Sequence, residues 1–297
     1  MVGSALMRRI PGAIGITRQD CDLRDFSQTL AVFNKHKPTQ VYMAAAKVGG
    51  ILANDRQPVD FLHDNLLIQC NAMKAAHMSD VDRLLFLGSS CIYPKNSSQP
   101  LNPHHLMSGK LESTNSAYAM AKLSGIELVN SYRRQYKRKW FSVLPTNLYG
   151  PGDNYDLNNS HVVAALIRKI IEAKKHRESY VEIWGTGSVM REFLHVDDCA
   201  DACVFLMNEG YNNTVPVNIG TGVDMTIKEL AMMISDIVEY RGSFMYNTNL
   251  PDGVTRKMLD VSTLRSYGWR HTIPLRRGLE QTITLYYEQQ AKESKRV

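Results

Sequence analysis

RLLFLGSSCIYP (Arg83–Pro94) and NSAYAMAKLSGIEL (Asn115–Leu128) are the two stretches whose reading decides this fold. The first is an unbroken apolar run that stops at Gly-Ser-Ser, the pattern of a strand buried on both faces, as in the parallel sheet of an α/β protein. The second reads as a helix starting near Asn115 and running to about Tyr136. Tyr118 and Lys122 lie four apart, so they share one helical face. Ser89 falls at the carboxyl end of the strand, where open α/β sheets place their ligand crevice. A serine, a tyrosine and a lysine converging there form a proton-transfer device. A free phenol titrates near ~10, and a lysine ammonium one turn away is expected to draw that value down. Y-x-x-x-K alone is a common surface pair; the strand-terminal Gly-Ser-Ser upstream is what makes it a candidate site.

Working outward, AIGIT (Ala13–Thr17) predicts a strand and Asp25–His36 a helix stopped before Pro38. QVYMAAA (Gln40–Ala46) predicts a buried strand with small residues at its end, and Asp60–His77 a long helix. Pro94–Ser113, rich in Pro, Asn and Ser, reads as a loop beside the crevice and a candidate lid. WFSVLPT (Trp140–Thr146) is a further strand. Ser160–Lys175 predicts a helix capped by Asn159 or Ser160, with His161 in its first turn. YVEIWGTG (Tyr180–Gly187) is a strand and turn, Asp197 sits near a helix start, and NIGTG (Asn218–Gly222) ends another strand. Residues 226–297 alternate helix and strand.

AAAKVGGI (Ala44–Ile51), LGSSCIYPK (Leu87–Lys95), LPTNLYGP (Leu144–Pro151), NSHVV (Asn159–Val163), MREFLHVDD (Met190–Asp198) and NIGTG occur in that order along nearly the whole chain. Together they resemble the extended short-chain dehydrogenase/reductases that act on nucleotide sugars. The resemblance implies an α/β fold: a Rossmann-type doubly wound parallel sheet with a smaller α/β substrate domain. Residues 1–151 with about 193–224 would form the NADP-binding part, and about 152–192 with 225–297 the GDP-sugar part. The opening MVGSALMRRI resembles the tail of a glycine-rich phosphate turn, with Gly3 matching its last glycine. The first strand and the earlier glycines are missing from this pattern. The expectation is an N-terminally truncated chain, from a misassigned start or a shortened polypeptide, with weakened NADPH binding; loss of the redox cofactor is the competing reading.

The resemblance further implies NADP(H) held by Gly3, Arg18, Asp22, Leu23, Leu87, Gly88, Ser89, Ser90, Lys122, Pro145, Thr146, Asn147, Leu148 and His161. Arg18 suits a 2′-phosphate, although a surface loop arginine would look the same. Ser89, Cys91, Tyr118, Lys122 and His161 are the catalytic candidates. If the strand pattern continued past Ser89, Cys91 would point to the same side. A thiol and an imidazole on opposite walls of one cleft can exchange protons on opposite faces of a sugar. By resemblance Cys91 is the base and His161 the acid; by residue type alone, a packed thiol and a surface histidine are the default. Lys169, Trp184, Arg191, Asp252 and Lys257 match positions that contact the nucleotide sugar. Lys169 stands where an arginine is frequent, which exchanges a bidentate contact for a point charge.

The implied activity is 3,5-epimerisation of a GDP-linked 4-keto-6-deoxy sugar followed by NADPH-dependent reduction at C4. Rivals are another nucleotide-sugar epimerase or dehydratase, or a truncated pseudoenzyme that binds nucleotide sugar without turnover. A dehydratase would place a carboxylate next to the strand-end serine, where this chain has Cys91. A homodimer is implied through the Asp60–His77 and Tyr118 helices.

Composition fits this picture. With 297 residues, 44% of them apolar and 22% charged, the chain can bury an ample core. The net charge of +6 is scattered rather than gathered into a stripe, so nucleic-acid binding is not expected. No apolar run approaches the ~20 residues of a membrane span, and no signal peptide is evident. Five cysteines without metal-type spacing (Cys21, Cys70, Cys91, Cys199, Cys203) point to a reducing cytoplasm. No metal site is expected, since Asp197-Asp198 lacks a third ligand.

Overall fold

The computed structural model describes residues 1–250 and 252–294. Residues 251 and 295–297, which the expected second domain takes in, lie outside the described residues. In chain order the elements are α1 (Val2–Arg9), α2 (Phe26–His36), β1 (Gln40–Met43), α3 (Ile51–Arg56), α4 (Pro58–Met78) and β2 (Arg83–Leu87). Then come α5 (Ser116–Tyr136), β3 (Phe141–Pro145), β4 (Asn147–Tyr149), α6 (Val162–His176), β5 (Tyr180–Trp184), β6 (Met190–His195) and α7 (Val196–Asn208). The chain continues through β7 (Val217–Ile219), β8 (Asp224–Thr226), α8 (Ile227–Val238), β9 (Ser243–Asn247), β10 (Arg256–Lys257), α9 (Ser262–Ser266) and α10 (Leu275–Ser294). Among the described residues no helix is long and apolar enough to cross a membrane.

β1, β2, β3 and β7 form a parallel sheet in that order. Successive strand side chains alternate faces. Leu84 and Phe86 therefore join Met73, Ala76, Ile126 and Val129 of α4 and α5 in one apolar cluster, while Leu85 and Leu87 join Leu6, Cys199, Cys203 and Leu206 of α1 and α7 in another. Helices on both faces explain why RLLFL is apolar without alternation. The pair Cys199 and Cys203 is buried packing, as its helical spacing suggested. A third cluster, built from α6, α8, α10, β5 and β6, lies around Ile167, Ile170, Leu230 and Leu279.

Four expectations need correction. Ala13–Thr17 is not a strand: it follows a turn at Pro11-Gly12, pairs with no other strand, and leaves Ile14 and Ile16 exposed. A strand without a partner edge has nowhere to place its backbone donors and acceptors. Helix α6 begins at Val162, so His161 is its N-cap rather than a first-turn residue. Asn159 and Ser160 do not cap it; both are drawn into a turn on Asp156, whose carbonyl accepts their amides at 3.0 and 2.7 Å. The strand pattern also fails at Cys91. β2 ends at Leu87, and Ser90–Ile92 is a single 3₁₀ turn capped by Ser89, whose hydroxyl accepts the Cys91 amide at 3.2 Å. Finally, Pro94–Ser113 is no free lid. Leu101 is buried and bridged to the segment after β10: its amide donates to Met258 O at 2.7 Å and its carbonyl accepts the Asp260 amide at 2.9 Å.

Candidate active site

The site forms where β2 and α5 meet. Gly88 continues directly from β2, its amide donating to Val143 O at 2.8 Å. A Cβ there would lie 2.6 Å from Leu144 Cδ2 and 3.1 Å from Val143 O, so the strand end closes against β3 only as glycine. The turn that follows presents Ser89 to α5, where its side chain is close enough to the Tyr118 phenol to favour the phenolate. One helical turn on, Lys122 is buried with its Nζ donating to Leu87 O at 2.8 Å. The ammonium also lies 4.9 Å from the Phe86 ring centre and 5.9 Å from that of Tyr118. Only one of its three donors is spent on Leu87, which leaves protons for a hydroxyl-rich ligand at the crevice. That donor set, at the carboxyl ends of parallel strands, fits the ribose and ring of a nicotinamide dinucleotide.

The electrostatics differ from expectation. Burial pushes the Tyr118 phenol well up, the neighbouring Cys91 adds to the rise, and only the Ser89 side chain opposes it. Burial also pulls the Lys122 ammonium down to about 8. The lysine therefore does not lower the phenol here: both groups are biased toward neutrality because desolvation outweighs their mutual attraction. Phe61 of α4 packs edge-on to Tyr118, ring centres 6.3 Å apart, and fixes the ring from the far side.

Cys91 is half-buried within electrostatic reach of Tyr118 and Arg191. Lys257 Nζ lies 3.8 Å from its sulfur. Arg191 and Lys257 are register partners on β6 and β10. Arg191 donates to Met190 O at 2.8 Å and to Asp252 O at 3.3 Å. The Asp252 carboxylate is occupied by Thr186, accepting from its amide at 2.8 Å and its hydroxyl at 3.0 Å. The structure thus brings Ser89, Cys91, Tyr118, Lys122, Arg191, Asp252 and Lys257 into one neighbourhood. Lys169 and Trp184 form a separate pair, the ammonium 5.1 Å from the indole ring centre and bonded to Glu182 O at 3.1 Å.

His161 stands at the α6 N-cap with no side-chain capping bond; it keeps surface open to solvent, yet protein is dense around its ring, and that desolvation lowers its pKa. Its segment is fastened to the loop after β1: the Gly50 amide donates to Asn159 O at 3.1 Å, and a Cβ on Gly50 would come 2.7 Å from Ser160 O. Gly49 in turn abuts Phe61, which carries the loop to Tyr118. On the cofactor side, Thr146 donates its amide to Ile219 O at 3.0 Å, and Pro145, Asn147 and Leu148 lie in β3 and β4. Gly3 lies inside α1, where a Cβ would meet only Ala44 at 3.9 Å. Arg18 is exposed, and Asp22 is held near about 2 by Arg24, which also bonds Asp64. No bond among the described residues ties Arg18 to the Ser89 group. Leu23 offers its carbonyl to Asn71.

One residue of the site was not anticipated. Glu192 is fully buried, and its carboxylate accepts the amides of Thr221 at 2.5 Å, Gly222 at 2.7 Å and Leu259 at 2.8 Å. Its backbone carbonyl accepts the Thr146 hydroxyl and the Asn147 amide group. The signal was a carboxylate directly before the apolar Phe193-Leu194 of β6, a position that demands dedicated partners once buried. A hollow of about 580 Å³ flanked by Lys169, Glu172, His176 and Glu182 shares only Lys169 with the expected residues, and the chemistry does not lie there.

The comparisons with known proteins agree with this geometry. The NAD dependent epimerase/dehydratase family matches residues 1–220. A GDP-L-fucose synthase from Escherichia coli (strain K12) is 47% identical, over 98% of this chain and 94% of its own. A GDP-L-colitose synthase from Yersinia pseudotuberculosis is 36% identical, over 90% and 87%. Among solved structures, a GDP-6-OMe-4-keto-L-xylo-heptose reductase from C. jejuni superposes with a TM-score of 0.91 at 32% identity, over 97% and 95% of the two chains. A GDP-mannoheptose C4 reductase from Campylobacter jejuni with NADP bound gives 0.86, also at 32%, over 96% and 95%. The chain belongs to the NAD dependent epimerase/dehydratase family and, within it, to the sequence group of the GDP-L-fucose synthases.

Proposed function

We propose that this protein converts GDP-4-keto-6-deoxy-D-mannose to GDP-L-fucose, epimerising C3 and C5 and reducing the C4 ketone with NADPH. The observation that carries the proposal is that Cys91 and Ser89 both act on the Tyr118 phenol, while Lys122, one helical turn on, is bonded to Leu87 O at the end of the same strand. In a 4-keto sugar the C–H bonds at C3 and C5 are acidified, because the carbanion delocalises onto the C4 oxygen. Cys91 takes the proton from one face, Ser89 and Tyr118 hold the enolate oxygen, and His161 returns a proton to the other face. When bound, NADPH supplies the hydride to C4. Tyr118 then donates its proton to the resulting alkoxide, with Lys122 offsetting the charge left on the phenolate. Desolvation of His161 suits this role, since a destabilised imidazolium is a readier donor.

Lys122, Ser89 and the strand-end residues Leu87, Gly88 and Ser90 would hold the nicotinamide half of the cofactor, with Pro145 to Leu148 alongside. Arg191 and Lys257 would receive the diphosphate, and Trp184 with Lys169 the remainder of the nucleotide sugar. A homodimer through α4 and α5 fits the exposed Met78, Met120 and Tyr136 on those helices. The five free cysteines suit a cytoplasmic setting. The division into a cofactor part and a substrate part is supported by the separate apolar cluster around α6 and α8.

The test is incubation with GDP-4-keto-6-deoxy-D-mannose and NADPH in deuterated water. NADPH should be consumed and deuterium should enter both C3 and C5 of the product. Reduction without deuterium at either carbon would leave a simple C4 reductase.

A further inference from the structure

Arg191 and Lys257 are cations placed opposite one another on neighbouring strands. Like charges so placed repel, and they persist where something nearby carries negative charge. Asp252 meets part of that need: its carboxylate, bonded to Thr186, lies within electrostatic reach of Arg191, and its carbonyl accepts a bond from Arg191. Arg256, next along β10, is directed to Asp224. What both cations share is Cys91: its sulfur is 3.8 Å from Lys257 Nζ and electrostatically coupled to Arg191.

The position of Lys257 is not left to a flexible surface chain. Gln99 brackets it, donating to Arg256 O at 3.0 Å and accepting the Met258 amide at 3.0 Å. Leu101 takes the carbonyl of Met258, and Glu192 takes the amide of Leu259. Backbone bonds on both sides of Lys257 thus fix where its ammonium can reach.

We propose that Lys257, with Arg191 beside it, stabilises the thiolate form of Cys91 over the thiol, making Lys257 a positioning residue for the base and not only a contact for the substrate's diphosphate. A thiolate, not a thiol, is the competent proton acceptor, and a neighbouring ammonium is what lowers a thiol into that range. Among the described residues the other titratable or charged groups in electrostatic reach of the sulfur are Tyr118, which burial biases toward the neutral phenol, and Arg191, which reinforces Lys257. Lys122 is bonded to Leu87 O instead. The inference rests on the reading of Cys91 as the base.

The experiment is the pH dependence of iodoacetamide alkylation of the full chain, followed by mass spectrometry on the peptide bearing Cys91. Peptide resolution is needed because Cys70 is exposed and would be alkylated as well. Lys257→Met should raise the midpoint by at least about 0.5 unit over wild type, and Lys257→Arg, which keeps the charge, should hold it near wild type. Equal midpoints in the wild type and Lys257→Met overturn the proposal. The underlying reading fails separately: if Cys91→Ser still exchanges deuterium into C3 and C5, Cys91 is not the base, whatever its titration shows.

Discussion

The Glu192 carboxylate accepts the Leu259 amide at 2.8 Å, two residues beyond the lysine that faces Cys91. The same carboxylate holds the Thr221–Gly222 turn, and Gly220 has no room for a side chain because a Cβ would sit 2.1 Å from Glu192 Oε1. One buried acid thus gathers the ends of β7 and β10, while its backbone carbonyl steadies the segment after β3.

Glu192→Gln should therefore destabilise the protein although size and shape are kept. The substituted amide must present its NH₂ to a backbone donor, either at the Thr221–Gly222 turn or at Leu259. Leaving such buried groups unsatisfied should cost about 1–3 kcal/mol, read as a lowered denaturation midpoint. A variant as stable as wild type would show that the amides find other acceptors.

Gly88→Ala should cost about 1–3 kcal/mol by overpacking, because the new methyl meets Leu144 and the Val143 carbonyl. Chemical denaturation measures it. The variant should also lose NADPH affinity, since relief of the clash would shift Ser89 away from α5.

Lys122 makes stability depend on pH in a defined direction. Its pKa falls from 10.5 to about 8 because the folded protein buries the ammonium. Between those two values the unfolded chain binds more protons than the folded one, so this group's contribution to stability rises with pH across that window. The stability of wild type relative to Lys122→Met should increase as pH is raised from 8 toward 10. A difference that stays constant over this range would mean that Lys122 titrates alike in both states.

Cys91→Ser should abolish deuterium entry at C3 and C5 while leaving reduction of a 4-keto group detectable, since Ser89, Tyr118 and Lys122 remain. Tyr118→Phe should suppress NADPH consumption by about 10²-fold or more for the lost proton donor, and should slow deuterium entry as well, since Ser89 alone is left to hold the enolate oxygen. Equal loss of both activities in Cys91→Ser would argue against separate roles.

Much of this was legible in the primary structure. RLLFL and NSAYAMAK carried their own periodicities, so β2, α5 and the placing of Ser89, Tyr118 and Lys122 followed from local pattern. Cys91 was placed on the right side by a wrong argument: a 3₁₀ turn capped by Ser89, not continued alternation, presents the thiol. Ala13–Thr17 misled because β-branched residues suit a strand only when an edge is available. The depressed Lys122 and elevated Tyr118 were invisible because desolvation depends on tertiary burial, which spacing does not report. Lys257 and Glu192 acquire their roles from partners far away in sequence, at Cys91, Thr221 and Leu259.

The bond from Gly50 to Asn159 has a mechanical consequence. Although α6 packs with the outer helices, its entry is stapled to the loop that follows β1. Because Gly49 of that loop abuts Phe61, and Phe61 packs edge-on to Tyr118, the backbone leading into His161 and the Tyr118 ring are tied into one connected path, so a displacement at the start of α6 would be felt at the phenol.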